Sequence, residues 1–378
     1  MSFDSLSIAA ISTELNRTLA GGRVQRVTQV NSLTYSFEIF IHPIRHYLTV
    51  SAEPQAPRLH LTLDKSRRGV GHDTPLMLVL RKYMRGARFV GAEQPLYERI
   101  LYLQFESLVQ PTTLAVELLG TRSNLVLLNT EQTILGVARL PKSERRPGQR
   151  LLLPNHYYLP PPPQRKRLPT QLSELVFRKE IAGVSPDLRL AQLLPRVVAG
   201  ISPLLAREIA YRATGRVNTT VGQLEKLAPI VETIQAFFKQ PEQDNWEPTL
   251  AFEDDTPVAF APYPLTHLPH VRRVETISEA VEIYFADAAA GYAVAKAPLY
   301  ESIGSARQRL LRRRQRLADD AASLEEPEQL KTCGEVILAM AAQIEPGQTR
   351  LTVDWLPETA ITLDPALSPS ENAQQYFN

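Results

Sequence analysis

One cysteine, Cys333, serves a chain of 378 residues, which excludes an internal disulfide and any multi-cysteine zinc site. Long apolar runs are missing as well, and nothing approaches the ~20 residues that a membrane-spanning helix needs. The first residues carry Asp4, Glu14 and Arg17 where a secretory signal would have a basic region followed by an apolar run. Nucleotide-binding loops are absent too: Gly69-Val70-Gly71-His72 has neither a closing Gly-Lys-Ser/Thr nor a third glycine at the needed spacing. No Gly-x-Ser-x-Gly elbow exists to start a nucleophilic triad. Cys333 sits in an alanine-rich helical stretch that favours a buried, inert thiol. His42 and His46 are four apart, but Pro43 and a strand-like context deny them one helical face. His267 and His270 flank Pro269 without a carboxylate or cysteine beside them in sequence. These absences predict a cytoplasmic protein with no membrane attachment, no metal and no cofactor.

What is present is ordinary globular material, 44% hydrophobic and 22% charged, long enough for two or three domains. The net charge of +2 conceals an asymmetry. Residues 1–170 hold 22 Lys/Arg against 12 Asp/Glu, and the remainder holds 20 against 28. A basic first half suits a nucleic-acid or acidic partner, although such sums do not locate a surface patch.

Along the chain, Asp4 is placed to cap a helix whose Ile8, Ile11, Leu15 and Leu19 recur at spacings of three and four, and Gly21-Gly22 should stop it. Alternation at Tyr35, Phe37, Ile39 and Ile41, and again at Leu59, Leu61 and Leu63, predicts half-buried strands. Asp73-Thr74-Pro75 opens a second helix that carries Leu76, Leu80, Tyr83 and Met84 inward. Arg81, Lys82, Arg85 and Arg88 ride on or just after it. Segments 97–106, 112–119 and 124–129 read as an antiparallel meander. The run Pro160–Pro163 predicts a stiff spacer and a domain boundary.

Short helices then follow to about 240, and within them Gly200-Ile201-Ser202-Pro203-Leu204-Leu205-Ala206 resembles a helix-hairpin-helix turn. In that motif, backbone N–H groups at a helix N-terminus meet a phosphate. Ser202 replaces the usual second glycine, so a plain helical hairpin stands as the alternative. A small hairpin with an acidic turn at Glu253-Asp254-Asp255 comes next, and helix resumes near 277. Ile303, Leu310, Leu317 and Leu324 repeat at sevenfold spacing around Arg312, Arg313 and Arg314. This predicts either a basic coiled-coil arm or a solvated bundle helix, with Pro327 halting the pattern. Ser368-Pro369 starts a last helix.

Several motifs occur in one order along the whole chain: Met1-Ser2-Phe3-Asp4, Leu19-Ala20-Gly21-Gly22-Arg23-Val24, Leu80-Arg81-Lys82-Tyr83-Met84, Tyr97-Glu98-Arg99-Ile100, Pro262-Tyr263-Pro264-Leu265-Thr266 and Leu363-Asp364-Pro365-Ala366-Leu367-Ser368-Pro369. In this ordered set the chain resembles the NFACT family of ribosome quality-control factors. The resemblance implies an α+β multidomain protein. A β-rich N-terminal NFACT domain related to Fpg/Nei glycosylases would span 1–170, an all-α helix-hairpin-helix domain 171–245, a hairpin and connector 246–276, and a coiled-coil and middle domain 277–378. The chain would stop short of the family's second coiled-coil helix and C-terminal RNA-binding domain.

As to activity, the resemblance implies a binding factor and no enzyme. It would bind a stalled 50S ribosomal subunit with peptidyl-tRNA and recruit tRNA, alanine tRNA in bacteria, for mRNA-independent alanine tailing. The family's Asp-Arg pair falls on Glu98-Arg99 and a second site on Glu117-Leu118. Its Gly-Arg-His-Ser-Asn appears as Gly120-Thr121-Arg122-Ser123-Asn124, with the basic residue one position later, at Arg122. Gly200 and Ser202 would meet nucleic acid at the hairpin, and Arg312, Arg313 and Arg314 on the arm. Two rival readings are a fibronectin-binding surface adhesin and a glycosylase-like DNA-binding protein. A glycosylase would need an N-terminal proline nucleophile and a zinc finger, where this chain has Ser2 and one cysteine.

Overall fold

The computed structural model describes residues 3–69, 72–140, 150–355 and 360–378, with the side chains of 242–243, 287–303 and 320–327 outside that description. Two compact units result, Met1–Gly291 and Tyr292–Asn378.

The first unit opens with α1 (Ser5–Leu19). Asp4 caps it by accepting the Ser7 N–H at 2.8 Å, and Ile8, Ile11, Leu15 and Leu19 are buried as the spacing predicts. Gly21, at φ 78°, turns the chain after it. Four strands follow, β1 (Arg23–Asn31), β2 (Thr34–Ile41), β3 (Ile44–Ser51) and β4 (Arg58–Thr62). Next comes α2 (Pro75–Met84), capped by Thr74 with proline in its first turn. The strands β5 (Arg88–Glu93), β6 (Ile100–Glu106), β7 (Thr112–Glu117), β8 (Asn124–Leu128) and β9 (Ile134–Val137) complete a nine-stranded antiparallel sheet of order β4-β3-β2-β1-β5-β6-β7-β8-β9. Its two halves join at the pair Arg23↔Arg88, flanked by backbone bonds from the Val24 N–H to the Ala87 carbonyl at 2.8 Å and from the Phe89 N–H to the Gly22 carbonyl at 2.8 Å. Both helices bury their apolar faces in one core with Leu48 and Leu59 from the first half and Phe89, Leu103 and Leu114 from the second. Each such side chain contributes roughly 1.5–3 kcal/mol by leaving water.

The meander is present, but its first strand starts at Ile100 and not at 97. Tyr97 has φ 59°, a left-handed position that breaks an extended chain.

Helices α3 (Glu174–Ile181), α4 (Leu190–Val197), α5 (Pro203–Thr214) and α6 (Ala228–Gln243) surround a second core that includes Leu205, Ile209, Ile234 and Phe237, with Leu6 of α1 reaching into it. The hairpin forms as β10 (Thr249–Glu253) and β11 (Thr256–Ala261), with Asp254 and Asp255 at φ 46° and 63° supplying its two left-handed turn positions. A third strand, β12 (Val271–Arg273), pairs with β10. Its three exposed residues carry no alternation to announce it.

His267, without an acidic neighbour in sequence, has one in space. Its Nδ1 lies 2.6 Å from an oxygen of Glu208, which is fully buried and also accepts from Arg212 Nε at 2.6 Å and from the Thr266 N–H at 3.1 Å. Burial alone would raise the Glu208 pKa. The bonds from His267, Thr266 and Arg212 outweigh it and hold the group at about 2. This cluster ties α5 to the segment after the hairpin.

Helix α7 (Ile277–Ala339) starts with Ile277, Ala280 and Val281 in the first core. It runs past position 327, where the heptad pattern predicts a halt. A proline removes one intrahelical donor, and burial of Val336 and Ile337 beyond it sustains the later turns. Leu310 and Leu317 are exposed, while Ile303 and Leu324 lie outside the described side chains. In the second unit the end of α7 packs with β13 (Arg350–Leu351), β14 (Ile361–Thr362) and α8 (Pro369–Phe377) around Cys333, Ile337, Leu351 and Ile361. Cys333 is buried, as its sequence context predicts. Among the described residues, no helix is long and apolar enough to cross a membrane and no group of three or more His, Cys, Asp or Glu could hold a metal.

Candidate nucleic-acid interface

Between β5 and β6 the left-handed turn at Tyr97 carries Arg99 into a cleft of about 170 Å³, with Glu98 beside it. That is room for roughly five waters at ~30 Å³ each, or for a phosphate group. The Tyr97 ring stands edge-on to Phe238 of α6 at 5.0 Å, which holds the turn against the helical core. Gln94 donates through Nε2 to the carbonyls of Ser5 and Glu98, at 2.9 and 2.8 Å, and so fastens the loop to α1.

The proline run ends directly on this loop. Gln164 donates its N–H to Glu98 Oε1 at 3.1 Å and its Nε2 to the Tyr97 carbonyl at 3.2 Å. The Arg167 N–H then bonds to the Val197 carbonyl at 2.8 Å. The stretch expected as a spacer is therefore anchored at its exit, and Gln164 and Lys166 just beyond it form one wall of the cleft. Lys166 sits on that wall, with Nζ donating to the Pro195 carbonyl at 2.7 Å.

Two helix N-termini open onto the same space. At α5, Ser202 accepts the Leu205 N–H at 3.1 Å and donates to Asp4 Oδ2 at 2.9 Å. The N-caps of α1 and α5 are thus bonded to each other. Ser5 of α1 donates to the Gly200 carbonyl at 3.0 Å. Gly200 is required on two counts. Its φ is 78°, and a Cβ there would meet Ser5 Oγ at 2.7 Å and the Phe238 ring at 3.0 Å.

Electrostatics follow from this enclosure. Burial pulls the Arg99 pKa down, with Asp4 and Glu98 opposing and Arg122 assisting. Lys166 is lowered by burial and then by Arg99. Asp4 is raised because burial outweighs its bonds from Ser7, Ser202 and Tyr263. Arg99 and Lys166, partly desolvated, and the two helix N-termini favour an anion in the cleft, with the Asp4 carboxyl that also lines it opposing them.

The residues named from sequence divide into groups. Glu98, Arg99, Gly200 and Ser202 come together around the cleft. Glu117 lies behind it on β7, fully buried, gripped by Arg150 at 2.8 and 2.7 Å and by the Tyr158 hydroxyl at 2.8 Å. Leu118 is also buried, and its N–H donates to the Arg99 carbonyl at 2.9 Å. Arg122 is exposed on the single turn after β7, close enough for its charge to act on Arg99. Arg312, Arg313 and Arg314 belong to the second unit and are exposed on α7. Sequence reasoning passed over Lys166 and Gln164. The cluster Gln164-Arg165-Lys166-Arg167, directly after the prolines, was the signal that could have found them.

Residues 4–378 match the family model for NFACT N-terminal and middle domains. The chain belongs to the NFACT family. Among relatives, this NFACT chain is 25% identical to the Rqc2 homolog RqcH of Bacillus subtilis and 28% identical to that of Streptococcus suis, with all of the chain covered. In each case it spans 66% of the relative's length. Human ribosome quality control complex subunit NEMF is 28% identical over 142 residues, covering 38% of the chain and 13% of NEMF. Of solved structures, the N-terminal part of the fibronectin/fibrinogen-binding protein from Streptococcus suis superposes with a TM-score of 0.61 at 24% identity, over 76% of this NFACT chain and 100% of that one. The fibrinogen-binding protein from Staphylococcus aureus gives 0.61 at 20% identity, over 75% and 98%. These likenesses show the fold of about three-quarters of the NFACT chain.

Proposed function

We propose that this chain is the tRNA-handling and ribosome-binding part of a cytoplasmic ribosome quality-control factor. It joins large ribosomal subunits that still hold peptidyl-tRNA and recruits tRNA, alanine tRNA first among them, for mRNA-independent C-terminal tailing. Peptide-bond chemistry stays with the ribosome, so the chain binds and positions without being an enzyme. The observation that carries this reading is the cleft in which Arg99 and Lys166 stand between the N-termini of α1 and α5. Such a cavity suits a tRNA phosphate, and relatives named RqcH match across the whole chain.

Within this proposal Arg99 makes a charge-assisted contact to phosphate or stacks on an unpaired base, and Glu98 accepts from a ribose hydroxyl or base amino group with the capacity Gln164 leaves it. Arg122 extends the contact at the rim. Glu117 and Leu118, both buried, act by holding the strand that positions Arg99. Gly200 and Ser202 shape the α5 edge, and Arg312, Arg313 and Arg314 meet ribosomal RNA. The chain then divides into 1–170, 171–245, 246–276 and 277–378, as the family resemblance implies.

The test is tRNA affinity and thermal midpoint on one Arg99→Ala protein. Loss of about 1.5–3 kcal/mol of interaction, tenfold or more in affinity, is expected with the midpoint nearly unchanged. Full tRNA affinity in that variant overturns the role of the cleft. The fibronectin-binding names of the structural neighbours favour adhesion as a second reading, and the two separate on co-sedimentation with 50S subunits against capture on immobilised fibronectin.

A further inference from the structure

We propose a second nucleic-acid site, on the α2 face of the first unit, that takes the phosphate backbone of double-helical RNA. It is a groove of about 690 Å³ between β1, the segment after β4, and α2. Six of its twelve lining residues are Arg26, Lys65, Arg67, Arg68, Arg81 and Arg85, and none is acidic. All six cations are exposed. The nearest carboxylates are few: Asp73 holds Arg68 and Arg81 at 3.0 Å each, and Glu38 holds Lys65 at 3.0 Å. Among the described residues no carboxylate lies within ion-pair distance of Arg26, Arg67 or Arg85.

The groove has a fixed shape. Gln29 on β1 accepts from both the N–H and the hydroxyl of Thr74, the cap of α2, at 2.9 Å, and Met77 is buried at the floor. Arg26 and Arg81 therefore stand on a braced strand–helix pair, with Arg85 at the end of α2, while Lys65, Arg67 and Arg68 lie on the segment after β4, which the Gly69 N–H ties to the Gln29 carbonyl at 3.0 Å.

Several observations select the ligand class. The space, about 690 Å³ against about 170 Å³ in the Arg99 cleft, exceeds what a single phosphate fills, and no buried polar side chain among its lining residues forms a specificity anchor. No aromatic side chain lines it, so the base-stacking platforms used for single strands are missing. What remains is a row of long, mobile cations, the equipment for tracking phosphates on a duplex without reading sequence. The choice of RNA over DNA rests on the ribosomal reading above.

The test measures binding of a blunt 18-base-pair RNA duplex by the whole chain and by an Arg26→Gln/Arg67→Gln/Arg85→Gln variant, across a salt series, with a DNA duplex of the same sequence in parallel. The variant should lose at least tenfold in RNA affinity and about 2 to 3 in the slope of log K against log salt, near 0.9 for each phosphate no longer neutralised. Equal affinity and slope for the two proteins overturns the site, and so does binding of the DNA duplex alone. Retention of polyglutamate without the RNA duplex reassigns the groove to an acidic protein and also overturns it. Arg99→Ala should leave duplex binding unchanged. A failure at Arg99 and a failure at this groove therefore appear in different proteins.

Discussion

The cleft at Arg99 and the groove beside α2 both collect positive charge, and they do so by opposite means. In the cleft, few charges are held by many bonds: Asp4, Glu98, Gln164, Lys166 and Ser202 all have named partners, and burial shifts the pKa values of Arg99, Lys166 and Asp4. In the groove, many charges are held by few bonds: three ion pairs hold Lys65, Arg68 and Arg81, and exposure leaves all six largely hydrated until a ligand arrives. The first arrangement costs folding free energy and suits one fixed contact. The second costs little, is screened by salt, and suits an extended partner.

The sharpest way to break this contrast is to attack what supports the cleft. Arg150→Ala leaves the fully buried Glu117 without its bidentate partner and should cost about 3–5 kcal/mol in denaturant unfolding, whereas comparable removal of a groove charge should not. A loss below 1 kcal/mol would mean that burial around Glu117 is far less complete than its geometry. An intermediate effect is expected from acid. The Glu208 carboxyl is held at about 2, below its ordinary 4.5, so its contribution is complete above about pH 4.5 and fades as pH falls toward 2. A loss on the order of 3 kcal/mol over that window is expected, and Glu208→Gln should flatten it. The smallest effect belongs to the groove. The triple glutamine variant should change folding stability by no more than ~0.5 kcal/mol, read from thermal melts, because its three arginines are exposed.

The elements around both sites were legible where a single local rule decided them. Asp4 and Thr74 as caps, the stripe Ile8-Ile11-Leu15-Leu19 and the turn at Asp254-Asp255 need nothing beyond their neighbours in sequence. The cleft was only half legible. Glu98 and Arg99 came from family resemblance, but Lys166 joins them because Gln164 bonds back across 66 positions, and no periodicity encodes that. His267 and Glu208, 59 positions apart, stayed invisible to sequence for the same reason. The left-handed Tyr97 shortened a strand that alternation had extended, since the pattern records which side chains are apolar and not where the backbone turns.

The polar edge of α1 also has a consequence in time. Asp4 is completed by Ser202 and Tyr263, 198 and 259 positions downstream, and Glu14 by the Ser278 N–H, 264 downstream. A chain made from its N-terminus at roughly 5–20 residues per second exposes α1 for on the order of ten seconds to a minute before these partners exist. A helix made so far ahead of its partners is thus among the last to be finished. Its two buried carboxylates stay in water through that interval, and only the closing of very long loops draws them in.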